Sequence, residues 1–139
     1  MTQIATTIEQ SKKLVELGID VNTADMHYDE YDVNVDKLHE KGIEVFPTVN
    51  KHKNAEYKLP CWSTEALLDI LDDIIVFGTE EDYHEYTLHF GKDETSYYMY
   101  YEDTEFVANN IVDELDFSCS TLLECAFEII VKLKELKLI

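Results

Sequence analysis

Cys61 and Ser63 flank the single tryptophan of the chain in the stretch Pro60-Cys61-Trp62-Ser63-Thr64. A thiol and a hydroxyl so close raise the question of nucleophilic chemistry. A reactive cysteine needs a base or a positive field to become a thiolate. The surrounding sequence is acidic, which raises a thiol pKa, while a nearby helix N-terminus lowers it. No family-type cysteine signature surrounds Cys61, and GxSxG is absent around Ser63. Cys61 therefore reads as a structural thiol and Ser63 as a helix cap.

The other titratable groups give no stronger signal. His27, His39, His52, His84 and His89 show no HExxH or other metal-ligand spacing. His84 and His89 are five apart on one strand and so point to opposite faces. His27, beside Asp25 and Asp29, reads as a solvated polar strand end rather than a metal site. The run from Asp32 begins like a calcium loop, but Lys37 and Ile43 stand where that loop needs Gly and Glu. Asp72-Asp73 and Glu80-Glu81-Asp82 suit acid–base work only if one carboxyl is buried. Four scattered glycines build no phosphate loop. The sequence thus predicts no catalytic, cofactor-binding or metal-binding residue, and no cofactor.

The elements that position these groups follow from periodicity and caps. A helix is predicted from Thr7 to Leu17, with Thr7 and Gln10 as a capping box, Gly18 as its stop, and Ile8, Ser11, Leu14, Val15 and Gly18 on one face. Met26 and Tyr28 suit one side of a short strand. Asp36–Lys41 suits a helical turn, and Ile43–Phe46 a short strand closed by Pro47. Pro60–Asp73 reads as a second helix capped by Ser63, with Trp62 anchoring its start in the core. Its apolar stripe is Ala66, Leu67, Ile70, Leu71 and Ile74; Glu65, Asp69, Asp72 and Asp73 point outward.

Tyr83–Phe90 and Thr95–Tyr101, joined by Gly91-Lys92-Asp93-Glu94, form a hairpin that holds six of the nine tyrosines. Tyr86, Leu88 and Phe90 share a face of the first strand. On the second, Tyr97, Met99 and Tyr101 oppose Tyr98 and Tyr100. This predicts a sheet covered by helices on one side and partly exposed on the other. Glu102–Phe117 reads as acidic and irregular. A long helix from Ser120 to Leu136, capped by Ser118 or Ser120, closes the chain. Its stripe is Leu122, Ala126, Ile129, Leu133 and Leu136, widened by Leu123, Phe127, Ile130 and Val131. The expected fold is one α+β domain over residues 1–139: an antiparallel sheet with a Tyr-rich hairpin, packed by N-terminal, central and C-terminal helices.

Charge sets the functional classes. Thirty acids face eleven bases, for a net charge of −19, and every base is lysine. From Leu59 to Val131 there are eighteen acids and one base, Lys92. Direct binding to nucleic acid or an anionic membrane needs cationic surface, so neither is expected. No apolar run is long enough to span a membrane, and the N-terminus lacks a signal-peptide pattern, so a cytoplasmic protein is expected. Cys61, Cys119 and Cys125 then read as free, mostly buried thiols.

Three blocks carry a resemblance: Ile8-Glu9-Gln10-Ser11-Lys12-Lys13-Leu14 with Thr23-Ala24-Asp25-Met26; Pro60-Cys61-Trp62-Ser63 with Ala66-Leu67-Leu68; and Ala126-Phe127-Glu128-Ile129-Ile130. Together they resemble a group of small uncharacterised proteins that recur in gut Bacteroides genomes, often in phage or mobile-element contexts. The resemblance brings no activity, cofactor or catalytic residue with it. The leading expectation is a non-catalytic interaction protein of a prophage or mobile element, with a protein partner. Its surface would be Glu65, Asp69, Asp72 and Asp73, or Tyr98 and Tyr100 of the tyrosine-rich sheet. One alternative is an acidic mimic of nucleic acid that occupies a host DNA-binding protein. The other is a small enzyme using Cys61 or a buried carboxylate.

Overall fold

A computed structural model describes residues 3–28, 47–50, 59–78, 83–104 and 111–139. The calcium-like run from Asp32, the turn at Asp36–Lys41 and the strand at Ile43–Phe46 lie outside the described residues. The fold is α+β, with three helices and two antiparallel sheets among the described residues. The sequence suggested one domain and one sheet. The structure divides into two compact units, Met1–Ala66 and Leu67–Ile139, each with its own sheet.

The first unit opens with helix α1, Ile8–Glu16. Thr7 Oγ1 accepts the Gln10 amide at 3.1 Å and the Thr7 amide donates to Gln10 Oε1 at 2.9 Å, so two otherwise orphaned amides are satisfied reciprocally. At the other end Gly18 takes φ 86°. Its amide bonds Val15 O and that of Ile19 bonds Leu14 O, each at 3.0 Å, which closes the helix with a left-handed turn. Ile8, Ser11 and Leu14 are buried as the periodicity predicts, whereas Val15 and Gly18 are exposed.

A single 3-10 turn at Val21–Thr23 leads into β1, Met26–Tyr28. β1 is the centre of a three-stranded antiparallel sheet, between β2 (Thr48–Val49) and β3 (Leu59–Cys61). α1 packs beside β3, and Ala5, Ile8, Met26, Tyr28, Leu59 and Cys61 form the core. Pro60 therefore belongs to a strand rather than to the helix start. Among the described residues β3 pairs only with β1, so a residue with no amide hydrogen is tolerated there.

Helix α2, Thr64–Ile70, is shorter than the periodicity predicts. Ile74 is not on its stripe. It begins β4, Ile74–Gly78, and is half exposed. Beyond the helix the chain is tied to the sheet: Asp72 O accepts the Tyr101 hydroxyl at 2.7 Å and Asp73 O accepts the Leu88 amide at 2.8 Å.

The second unit is a four-stranded meander, β4–β5–β6–β7, with β5 at Tyr83–Lys92, β6 at Tyr97–Asp103 and β7 at Ile111–Cys119. The β5–β6 hairpin forms two residues later than the sequence suggests. Lys92 pairs with Tyr97, and Asp93 closes the loop by accepting the Thr95 and Ser96 amides at 2.9 and 2.7 Å. These bonds hold the Asp93 carboxyl below its ordinary pKa. The segment expected to be irregular holds the end of β6 and most of β7. β7 carries a bulge where β6 advances from Tyr100 to Glu102.

Helix α3, Leu122–Glu135, packs on β6 and β7. Its cap is Thr121, whose hydroxyl accepts the Glu124 amide at 3.1 Å; Ser118 lies in β7 and Ser120 precedes the cap. Leu123, Ala126, Ile129, Ile130 and Leu133 are buried, while Leu122, Val131 and Leu136 are partly exposed. Fully burying a side chain such as Ile129, Ile130 or Leu133 stabilises by about 1.5–3 kcal/mol each. α3 ends in the same left-handed turn as α1, but with Lys137 at φ 59° in place of glycine. Its amide bonds Lys134 O at 3.1 Å, and the Leu138 amide bonds Leu133 O at 2.8 Å.

Lys137→Gly should stabilise the protein by roughly 0.5–1 kcal/mol, since the left-handed conformation costs a side-chain-bearing residue more than glycine. A urea midpoint at or below that of the parent would contradict this.

Candidate functional site

The tryptophan stretch resolves into a structural knot. Trp62 and Cys61 are fully buried. The Thr6 amide donates to Trp62 O at 2.8 Å, the Trp62 amide donates to Thr6 Oγ1 at 3.1 Å, and Trp62 Nε1 donates to Thr23 Oγ1 at 2.9 Å. Ser63 caps α2 by accepting the Ala66 amide at 3.2 Å. Its hydroxyl also donates to Asp25 Oδ2 in a short hydrogen bond, and its amide donates to Asp25 Oδ1 at 2.9 Å. The hydroxyl is thus engaged both as donor and as acceptor.

Burial, and then the Asp25 carboxylate, push the Cys61 thiol up to about 12. That environment opposes the thiolate a nucleophile needs. Cys125 is likewise pushed up to about 12, chiefly by burial, and its Sγ donates to Tyr97 O at 3.5 Å. Cys119, at the end of β7 and hydrogen-bonded to Cys125, is also raised, first by burial. All three thiols are free.

His27 is not solvated as the sequence suggested. It is buried, and its Nδ1 lies 2.7 Å from Asn50 Oδ1, while Asn50 Nδ2 donates to Ala24 O at 3.1 Å. The imidazole joins β1 to the residue after β2. His84 and His89 face opposite sides of β5: His84 Nδ1 lies 3.2 Å from the buried Asp103 Oδ2, and His89 Nε2 lies 3.7 Å from Glu102 Oε2. Among the described residues, no group of three or more His, Cys, Asp or Glu side chains is placed to hold a metal ion. No helix there is long and apolar enough to cross a membrane.

The candidate surface acids do not share one helix face. Glu65 and Asp69 are exposed on α2, but Asp72 and Asp73 lie beyond its end, exposed in the turn to β4. Tyr98 and Tyr100 do come together. Met99 and Tyr101 are fully buried on the face of β6 toward α3, and the period-two alternation turns Tyr98 and Tyr100 to the other face. There the Tyr98 and Tyr100 ring centroids are 6.0 Å apart at 27°, and those of Tyr100 and His89 are 5.3 Å apart at 21°. Asp116 pairs directly with Tyr100, and Glu102 follows on the same strand face, its Oε2 3.7 Å from His89 Nε2. Burial, then Glu102, Tyr98 and Asp116, raise the Tyr100 phenol above its ordinary pKa. Lys92 is turned to the other face, its Nζ 5.4 Å from the Tyr97 ring centroid.

The sequence alternation singled out Tyr98 and Tyr100 but missed His89 and Gly91, which join them only through cross-strand register. A Cβ built on Gly91 would stand 2.5 Å from the Tyr98 hydroxyl oxygen and 2.8 Å from its Cζ. Tyr98 therefore lies across the bare backbone of β5.

No protein-family model, curated protein or solved structure matches this chain.

The raised thiols of Cys61 and Cys125 contribute to an alkaline limit. Each has a folded pKa above its unfolded value of 9.0, so the folded state holds the proton longer. Their contribution is complete below about pH 9 and is lost as pH rises from there toward 12, at up to about 1.4 kcal/mol per pH unit for each thiol. Urea midpoints should fall across that window. The fall should be shallower in Cys61→Ala than in the parent; equal slopes would contradict the assignment.

Proposed function

We propose that this chain is a non-catalytic protein-interaction module, and that its docking surface is the open face of the four-stranded sheet. The setting implied by its resemblance is a prophage or mobile element. One observation carries the reading: Tyr98, Tyr100 and His89 stack on a sheet face away from α3, beside Glu102 and Asp116. Aromatic side chains with polar tips are enriched at interfaces because they bring large contact area with little ordering cost. The carboxylates beside them favour a basic partner. β4 adds exposed apolar contact on the same face through Ile74 and Val76, which pair with Thr87 and Glu85.

The mimic alternative calls for carboxylates arrayed on one surface. The described acids of the second unit stand both on the open face and on α3, where Glu128 and Glu135 are exposed. The enzyme alternative needs an activated group, and the thiol of Cys61 is held in the opposite sense.

A photo-crosslinking residue placed at Ser118, on the open face opposite Tyr98, should give a discrete protein adduct in host cells. One at Glu128 on α3 should not. Tyr98→Ala with Tyr100→Ala should remove the Ser118 adduct while leaving the circular dichroism unchanged. Equal adducts from both positions, or none from Ser118, would sink the proposal.

A further inference from the structure

Tyr98 lies across β5 because Gly91 has no side chain. Its phenol end occupies the space a Cβ would need. The Gly91 backbone does not have a positive φ, so alanine is sterically compatible with the strand itself. What the missing Cβ provides is room for the ring. With Tyr98 laid down, stacked Tyr100 and His89 continue the aromatic surface along the sheet. Glu102 and Asp116 border it.

We infer that Gly91, Tyr98, Tyr100 and His89 form an aromatic shelf that, with Glu102 and Asp116, receives an arginine side chain of a partner protein. This inference rests on the docking role proposed above and gives that partner its chemistry. A guanidinium is planar, stacks on aromatic faces, sheds water more readily than an ammonium, and pairs with carboxylates through parallel N–H donors. A shelf with flanking carboxylates suits each of these properties. Lysine offers a compact, strongly hydrated charge and fits the planar part less well.

The composition decides where the arginine comes from. These 139 residues contain no arginine, so none of them, in this chain or in a second copy, supplies a guanidinium. Lys92, on the neighbouring β5 position, packs against Tyr97 on the opposite face and does not compete. The occupant is therefore a different protein with an exposed arginine.

The test titrates the full chain with two blocked peptides, Gly-Arg-Gly-Arg-Gly and its lysine counterpart, at low ionic strength. The Tyr98 and Tyr100 ring signals and the Gly91 amide are followed by NMR. The arginine peptide should shift these signals saturably and bind more tightly than the lysine peptide, by up to the roughly two- to fivefold that a whole exposed cation–aromatic contact is worth. Gly91→Ala should swing the Tyr98 ring off the β5 backbone. It should remove that preference without changing any charge or the circular dichroism. Tyr98→Leu should do the same by deleting the ring, and reads the site even if Gly91→Ala perturbs folding. Equal binding of the two peptides, or a preference that survives both variants, overturns the inference. So does a crosslinked partner from Ser118 whose docked segment lacks arginine, although the docking role then stands. Absence of any Ser118 adduct removes both.

Discussion

The first unit depends on one buried exchange of hydrogen bonds, that between Thr6 and Trp62. The two residues are 56 positions apart in sequence, fully buried, and joined in both directions by main-chain groups and the Thr6 hydroxyl. Thr6 Oγ1 also shares a hydrogen bond with Ser11 Oγ at 2.7 Å, and Ser11 Oγ lies 3.4 Å from Thr6 O. The Tyr28 hydroxyl also donates to Thr6 O, at 2.8 Å. One threonine thus ties together the lead-in to α1, the helix itself, β1 and the exit from β3. Hydrogen bonds in a dry site are strong but unforgiving, because a missing partner leaves a desolvated polar group. Among the described residues no buried side-chain nitrogen or oxygen lacks a partner. Trp62 reads as the wedge of this knot, and Cys61 beside it is a buried space-filler whose thiol is kept neutral.

The second unit is organised by alternation along β6. Odd positions Met99 and Tyr101 go to the core under α3, and Tyr101 reaches through to bond Asp72 O. Even positions Tyr98, Tyr100 and Glu102 go to the opposite face. A one-residue slip in register would exchange the two sets, so the buried face fixes the exposed one. Burial of Met99, Tyr101 and Leu115 is therefore what holds the aromatic shelf in place.

The elements marked by local chemistry were legible in the sequence: the Thr7–Gln10 capping box, the Gly18 stop, the β5–β6 hairpin and the stripe of α3. Those determined by distant partners were not. Ile74 fits the apolar period of the preceding helix, and it is the pairing of β4 with β5, Ile74 opposite Thr87, that makes it a strand residue. β7 alternates Leu115, Phe117 and Cys119 with Asp116 and Ser118, a strand pattern hidden by the acidity of the segment. The charged neighbours of His27 suggest a solvated ring, yet it is buried and hydrogen-bonded to Asn50, 23 residues away. At the surface, the pairing of Tyr98 with Tyr100 follows from period two. The presence of His89 and the reason for Gly91 do not, because both arise from cross-strand register.

Charge and shape play separable parts on the open face. A net charge of −19 attracts any cation, but in physiological salt that field decays over about 8 Å. It can hasten encounter with a basic partner and cannot by itself select among basic side chains. Selection has to come from contact. The tyrosines and histidine supply flat, oriented surface at fixed spacing, and the neighbouring carboxylates supply acceptors within reach of it. The turning of Lys92 onto Tyr97 keeps the nearest described cation off this face. Under the proposed docking role, a surface arranged in this way would draw cations by its field and distinguish them by how well a planar group can lie on it.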